Sequence, residues 1–208
     1  MSKRIIMLEG CDRTGKSTFI SLLYEKLKSQ GKIPIIFHLM GPTKFNKFEF
    51  TNDEKSLIQL AKFNDEYDLI REMLNADNRI VIILDRTSFG EYIWTSYWNR
   101  EGKYSEYVWS KEFIEKHRDL LDQSLYIYYY ISNLNLLENR IKESPEDIKI
   151  FTQNNMSIKE NIMGVYSLYE DLNNIIQDNN IDYLEYDNIK SIEDVKEYVK
   201  YISEKFIF

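Results

Sequence analysis

The stretch Gly10–Ser17, with the sequence GCDRTGKS, decides the fold of this chain. It fits the phosphate-binding pattern G-x-x-x-x-G-K-[ST]; an apolar run, Ile5–Leu8, precedes it, and a helical pattern, Ser17–Gln30, follows it. A strand, a glycine-cornered loop and a helix N-terminus form a nest of backbone N–H groups that can surround a triphosphate. Lys16 can then reach the outer phosphates, and the Ser17 hydroxyl can bind Mg²⁺. A turn that only starts a helix is the alternative, which the flanking strand and helix disfavour. The sequence therefore predicts a site for a nucleoside triphosphate with Mg²⁺.

Length, charge and composition indicate a protein with a full hydrophobic core. The chain has 208 residues, of which 43% are hydrophobic and 29% charged, enough for one α/β domain, 1–208. The net charge of −7 argues against nucleic-acid binding, which depends on neutralising many phosphates. No stretch approaches a membrane span and the N-terminus has no secretory pattern, so we expect a cytoplasmic protein without a membrane partner. The single cysteine, Cys11, excludes an internal disulfide and is expected to be a small, oxidation-sensitive side chain in the loop.

Apolar and amphipathic segments alternate along the chain. The strand candidates are Arg4–Leu8, Ile33–Leu39, Arg79–Leu84, Ser124–Ile131 and Asp182–Tyr186. The helix candidates are Ser17–Gln30, Asp53–Ala76, Ser110–Leu121, Asn133–Glu143, Ile158–Asp178 and Ile192–Phe206, with Asn52 or Asp53 expected to cap the second and Ser191 the last. This alternation predicts an α/β fold in three layers, a parallel sheet of about five strands with helices on both faces.

Two segments do not fit the alternation. Met40–Asn52 contains Gly41-Pro42 and three phenylalanines, and Lys142–Ser157 is polar and contains Pro145. Such segments often cover active sites, although each is equally well explained as an ordinary surface loop.

A second motif, Asp85-Arg86, stands at the end of the third strand candidate. An acidic residue at the carboxyl end of an apolar strand, downstream of a phosphate loop, is typical of the carboxylate that holds Mg²⁺ directly or through water. The planar guanidinium of Arg86 suits bidentate binding of a phosphate. The alternative is a surface turn with a weak ion pair, and the phosphate loop favours the functional interpretation.

With these two motifs the chain resembles the thymidylate kinases among the P-loop nucleoside monophosphate kinases. Residues Met7–Thr18 resemble that family's L-E-G-x-D-R-x-G-K-[ST]-T in its eukaryotic and poxvirus version, and Asp85-Arg86 resembles its Asp-Arg after the third strand. The resemblance implies a P-loop kinase fold with a small lid at about 142–157, and a homodimer. It implies ATP binding by Gly10, Cys11, Arg13, Thr14, Gly15, Lys16, Ser17, Thr18 and Arg140, with Arg140 near the adenine or simply paired with Glu143 on a helix surface.

The resemblance also implies roles in phosphoryl transfer. Asp12 matches the loop aspartate that contacts the acceptor sugar, and Arg13 matches the loop arginine that stabilises the transferring phosphoryl group. Phosphoryl transfer depends mostly on positioning and on positive charge near the equatorial oxygens, so an arginine within the loop is chemically suited to this task. The lid candidate contains no arginine, which agrees with that assignment. Catalysis is thus expected from Arg13, Lys16, Asp85 and Arg86, with Mg²⁺ held by Ser17 and Asp85.

The acceptor is less closely defined, because the chain departs from the family where the acceptor binds. Met40-Gly41-Pro42 replaces the usual Arg-Glu-Pro, and Asn64-Asp65 occupies the place of an expected arginine. The second strand candidate has no carboxylate at its end, where a deoxynucleoside kinase keeps its base, and this favours a nucleoside monophosphate, with dTMP first, although Asp85 or Glu91 could act as base. The alternatives are a deoxynucleoside kinase and a non-catalytic nucleotide-binding module. The aromatic residues that could stack on the base are Phe45, Phe48, Phe89, Trp94, Tyr97 and Trp98, with Phe89 the first candidate and core packing the alternative for each.

Overall fold

The computed structural model describes residues 2–38, 51–90, 93, 111–152, 156–188 and 191–207. In this part of the chain five strands form one parallel sheet in the order β2-β3-β1-β4-β5. The strands are β1 Ile5–Glu9, β2 Ile33–Phe37, β3 Ile80–Asp85, β4 Ser124–Tyr130 and β5 Asp182–Asp187. The predicted α/β fold with a parallel sheet is therefore confirmed.

The helices lie on both faces of this sheet. Their bounds are α1 Lys16–Ser29, α2 Asn52–Ala76, α3 Lys111–Lys116, α4 Arg118–Leu121, α5 Leu134–Lys142, α6 Pro145–Phe151, α7 Ile158–Asp178 and α8 Ile192–Lys205. Successive strand residues point to opposite faces, which divides the core into two clusters. Met7 and Ile82 pack with residues of α2 and α7, whereas Ile6 and Ile83 pack with residues of α1 and α8. Every residue of β1 is buried, as predicted for a central parallel strand.

The helix starts confirm one predicted cap and correct another. Ser191 caps α8, with the Asp194 carboxylate returning to the Ser191 backbone N–H. The predicted cap of α2 is wrong, because Thr51 takes that position and closes a capping box with Glu54. Threonine also suits this role, since like asparagine and aspartate it offers a short side-chain oxygen to the first turn.

Two other local predictions are corrected. The predicted helix Ser110–Leu121 is divided at His117, whose buried ring approaches Asn64 and Arg71 of α2. The predicted irregular segment 142–157 contains the helix α6, which starts at Pro145 behind the N-cap Ser144. Proline is well tolerated at the first helical position because the N–H that it lacks would have no helical partner there.

The expectations for residues 39–50, 91–92 and 94–110 lie outside the described residues. They include most of the segment Met40–Asn52, the base candidate Glu91, and the aromatic candidates Phe45, Phe48, Trp94, Tyr97 and Trp98. Among the described helices, none combines the length and the apolar character that crossing a membrane requires.

Candidate active site

The phosphate loop connects β1 to α1 at the carboxyl edge of the sheet, the edge at which open α/β sheets bind ligands. Both of its glycines are required by the backbone. Gly10 has φ 150°, and a Cβ there would lie 1.9 Å from the Tyr129 carbonyl oxygen. Gly15 has φ 99°, and a Cβ there would lie 2.5 Å from Asn188 Nδ2, which itself donates to the Thr14 carbonyl at 2.7 Å. The loop is thus clamped between β4 and the residue that follows β5.

Lys16 is folded back onto its own loop. Its Nζ donates to the carbonyl oxygens of Gly10 at 2.8 Å and Cys11 at 2.7 Å, and the residue is 7% exposed. Burial, followed by the nearby charge of Arg86, lowers the pKa of Lys16 to about 8. Among the described residues, backbone carbonyls alone hold this ammonium and no carboxylate contacts it directly, so phosphate oxygens are a better partner for it.

Arg86 lies against the phosphate loop. Its Nη2 donates to Asp12 Oδ1, its backbone N–H donates to the Leu8 carbonyl at 3.0 Å, and the residue is 8% exposed. Of the described non-glycine residues, only Arg13, Arg86 and Asn180 have positive φ, with Arg13 at 62° and Arg86 at 68°. A left-handed backbone costs a non-glycine residue about 1–2 kcal/mol. Both predicted phosphate-binding arginines therefore stand on backbone that the surrounding structure must enforce.

Glu9, the last residue of β1, supplies part of that enforcement. Its Oε1 accepts from the Thr87 backbone N–H at 2.5 Å and from the Thr87 hydroxyl at 2.8 Å, and Tyr169 donates to Oε2 at 3.4 Å. Glu9 is fully buried; burial raises its pKa, and the nearby Arg86 opposes the rise. A Cβ at residue 90 would lie 2.5 Å from Oε1, so the Glu9 carboxylate leaves no room for any residue but glycine at Gly90. The turn that presents Arg86 is built on Glu9.

Asp85 and Ser17 face the same cleft as Lys16. The Asp85 side chain is 23% exposed, and its Oδ2 lies 3.2 Å from His38 Nδ1. One carboxylate and one hydroxyl suit Mg²⁺, which keeps several waters and takes further oxygens from substrate phosphates. No group of three or more metal-ligating side chains occurs within the described ranges, so a cage made of protein ligands alone is not offered there. The residues present fit a metal that arrives with a nucleotide.

Arg13 reaches across the cleft to the segment predicted as a lid. Its Nε donates to Oδ2 of Asp147 in α6, and its carbonyl oxygen accepts from Arg140 Nη1 at 3.4 Å. The carboxylate raises the pKa of Arg13, first through the hydrogen bond and then through its charge. Arg140 thus lies beside the loop, in contact with its backbone.

These residues surround one open cleft with a volume of about 420 Å³. Most predicted site residues line it: Asp12, Arg13, Gly15, Lys16, Ser17, Thr18, Asp85 and Arg86. Phe89 does not line it, because its ring is 1% exposed and belongs to the apolar core. Phe89 therefore packs in the core, which was the alternative to its stacking on a base. Cys11 is fully buried, and burial raises the pKa of its thiol to about 12, which disfavours the reactive thiolate that oxidation requires.

Four residues of the site were not predicted to be part of it. Glu9 stands within the motif that carries the resemblance, but a glutamate ending an apolar strand has no signal beyond that motif. His38 and Asn188 follow β2 and β5, and knowing that parallel strands share one carboxyl edge could have suggested both. Asp147 has no sequence signal of its own, because nothing in the sequence pairs it with Arg13, 134 positions away.

Comparison with known proteins finds similarity in structure but not in sequence. No protein-family model matches the chain, and a search of curated proteins finds no similar sequence. The YorR protein of Bacillus subtilis, solved with phosphorylated GDP, is 16% identical, with a TM-score of 0.62 over 96% of this chain and 95% of that one.

Two further solved structures are similar. The deoxyadenosine kinase of M. mycoides with bound dCTP is 15% identical, with a TM-score of 0.56 over 96% of this chain and 98% of its own. The thymidylate kinase of Candida albicans is 20% identical, with a TM-score of 0.61 over 98% of this chain and 92% of its own. The protein therefore has the predicted fold, that of a thymidylate-kinase-like P-loop kinase.

Proposed function

We propose that the protein is a nucleoside monophosphate kinase that transfers the γ-phosphoryl group of ATP to a deoxynucleoside monophosphate, with dTMP as the first acceptor. One observation carries the proposal: three cationic side chains, Arg13, Lys16 and Arg86, line one cleft together with Ser17 and Asp85. Phosphoryl transfer needs this combination of positive charge and metal ligands around the transferring group. A module that only binds nucleotides has no need for all five.

On the donor side, the loop N–H groups would hold the ATP phosphates. Lys16 would leave the carbonyls of Gly10 and Cys11 for the outer phosphates, an exchange favoured by its lack of an anionic contact. Mg²⁺, held by Ser17 and Asp85, would neutralise charge on the phosphate oxygens. Arg13 would stabilise charge on the transferring group.

On the acceptor side, Arg86 would bind the 5′-phosphate and Asp12 would contact the sugar. The acceptor phosphate is already anionic and requires a cation rather than a base, and Arg86 is held in place by Asp12. The structural likeness to the Candida albicans thymidylate kinase supports this choice.

A deoxynucleoside kinase is the second candidate. One support is the likeness to the M. mycoides deoxyadenosine kinase. The other is the contact between His38 and Asp85, because this pair offers a base for the proton of a nucleoside hydroxyl. His38 follows β2, where a deoxynucleoside kinase keeps its base, but its side chain is an imidazole and not the carboxylate expected of such a kinase.

The test is a coupled ADP-release assay with Mg²⁺ across the deoxynucleosides and their monophosphates, run on the wild type and on Lys16→Ala. We expect turnover with monophosphates, dTMP among them, and its loss in the variant. Turnover with free nucleosides alone would support the second candidate. No ADP formation with any acceptor would contradict both and leave a non-catalytic nucleotide-binding module.

Three further statements belong to the same proposal. Residues 142–157 act as a lid over the ATP phosphates, the protein forms a homodimer, and it works in the cytoplasm as one domain. The dimer follows from the resemblance to thymidylate kinases, and light scattering on the purified protein measures it. A monomer at micromolar concentration would contradict it.

A further inference from the structure

The contact between Arg13 and Asp147 joins the phosphate loop to α6 across 134 positions of sequence. Both side chains line the cleft, and their exposed fractions are 48% for Arg13 and 15% for Asp147. An ion pair between fully exposed side chains contributes little to stability, because water and salt screen the attraction and both side chains lose freedom. The carboxylate here is mostly covered and points into the candidate active site, so its position calls for an explanation other than stability.

Asp147 does not close a capping box at the start of α6, unlike the acidic residues at the same position of three other helices. At the starts of α2, α7 and α8, the acidic residue three positions after the cap returns to the backbone N–H of the cap residue. At α6 the cap side chain of Ser144 accepts from the Asp147 backbone N–H, but the Ser144 N–H already donates to the Ile141 carbonyl at 3.0 Å. Because α6 follows α5 so closely, the Ser144 N–H that Asp147 would accept from is already bonded to α5. Its carboxylate is available for Arg13.

The nitrogen that makes the contact matters for the chemistry. Asp147 accepts from Nε of Arg13, so the two Nη nitrogens take no part in the pair. A guanidinium can therefore hold a carboxylate on one edge and bind phosphate oxygens with its Nη groups. Asp147 would fix the plane of the guanidinium before ATP arrives.

We propose that Asp147 is a positioning residue that orients Arg13 for phosphoryl transfer and makes that orientation depend on the docking of α6 against the phosphate loop. The inference rests on the proposed function. When α6 lies on the loop, Asp147 orients the Arg13 guanidinium toward the transferring phosphoryl group. When α6 moves away, Arg13 loses this partner. Such preorganisation acts on the transition state and leaves the binding of ATP in the ground state little changed.

The kinetic test compares Asp147→Asn with Glu146→Gln, the exposed acidic neighbour in the same first turn of α6. Both variants remove one negative charge near the helix N-terminus, so they match in their effect on the helix dipole. We expect Asp147→Asn to lower kcat about three- to tenfold with little change in the KM for ATP, and Glu146→Gln to leave both unchanged.

Two companion variants separate positioning from a structural effect. In an Arg13→Ala background, Asp147→Asn should cause no further loss of kcat, because its effect acts through Arg13. Asp147→Glu keeps the carboxylate and should recover part of the rate. Equal kcat values for Asp147→Asn and Glu146→Gln in an active enzyme would overturn the inference, as would a higher kcat in Asp147→Asn, which would indicate that the pair restrains Arg13.

Amide hydrogen exchange over 145–151 without nucleotide gives a readout that does not depend on activity. Asp147→Asn and Arg13→Ala should each accelerate exchange in α6 by a similar factor, whereas Glu146→Gln should match the wild type. If the wild type phosphorylates no acceptor but exchange behaves in this way, the contact stands and the proposed function fails. Unchanged exchange in both variants would overturn the coupling of α6 to the loop.

Discussion

Replacing Glu9 tests whether this carboxylate holds the turn that presents Arg86. In Glu9→Ala, the Thr87 N–H and hydroxyl both lose their buried acceptor, and Arg86 loses a nearby carboxylate. A buried donor left without a partner costs about 1–3 kcal/mol, and Thr87 has two such donors. We therefore expect Glu9→Ala to lower the free energy of unfolding by about 3–5 kcal/mol.

The matched control is Glu9→Gln, which keeps the shape and an acceptor oxygen for Thr87 but removes the charge. It should lose only about 1–2 kcal/mol. For a chain of this size about 1 kcal/mol shifts Tm by roughly 2–4 °C, so the alanine variant should melt roughly 6–20 °C below the wild type and the glutamine variant in between.

Thermal and urea unfolding followed by circular dichroism measure the two losses. The acceptor KM of the folded variants gives a second readout, which should rise in the same order because Arg86 is less well fixed. A Tm for Glu9→Ala within 2 °C or so of the wild type would refute the reasoning.

Further predictions concern the loop, the acceptor and pH. Lys16→Ala should abolish transfer in a protein that still folds, and near-normal turnover would contradict the phosphate-loop assignment. Arg13→Ala should lower kcat by roughly a hundredfold or more with ATP affinity nearly kept, whereas a rise only in the KM for ATP would make it a ground-state ligand. Arg86→Ala should raise the acceptor KM and lower kcat while calorimetry finds ATP affinity unchanged; weaker ATP binding would assign Arg86 to the donor. Burial, then Lys116 and Arg71, lowers the pKa of His117 from 6.5 to about 4, so the unfolded chain takes up this proton first. Stability should therefore fall as the pH drops from 6.5 to 4, and His117→Gln should remove that part of the slope.

The fold could be predicted from the sequence because its signals are local. The buried strands are continuous apolar runs, and the phosphate loop fixes the order of strand, loop and helix. The helix α6 was not predicted because its seven residues span only about two turns, too few to show a period, and only the cap Ser144 and Pro145 indicate it.

The sequence predicted those residues of the candidate site that belong to a local motif. The cleft brings together Lys16, Ser17, Asp85 and Arg86 as expected. The contacts of Glu9 with Thr87 and of Arg13 with Asp147 join residues 78 and 134 positions apart, and no periodicity or spacing encodes such pairs. Long-range polar contacts of this kind arise from the topology, since parallel strands and the helix behind them converge on one edge.

A competition between a deoxynucleoside and its own monophosphate tests the central claim most directly. Thymidine and dTMP are supplied at equal concentration with limiting γ-labelled ATP and Mg²⁺, and the labelled products are separated and identified. A cleft that binds an anionic acceptor through Arg86 predicts that the label appears in dTDP. Label that appears only in dTMP newly made from thymidine would contradict the account and make the protein a nucleoside kinase.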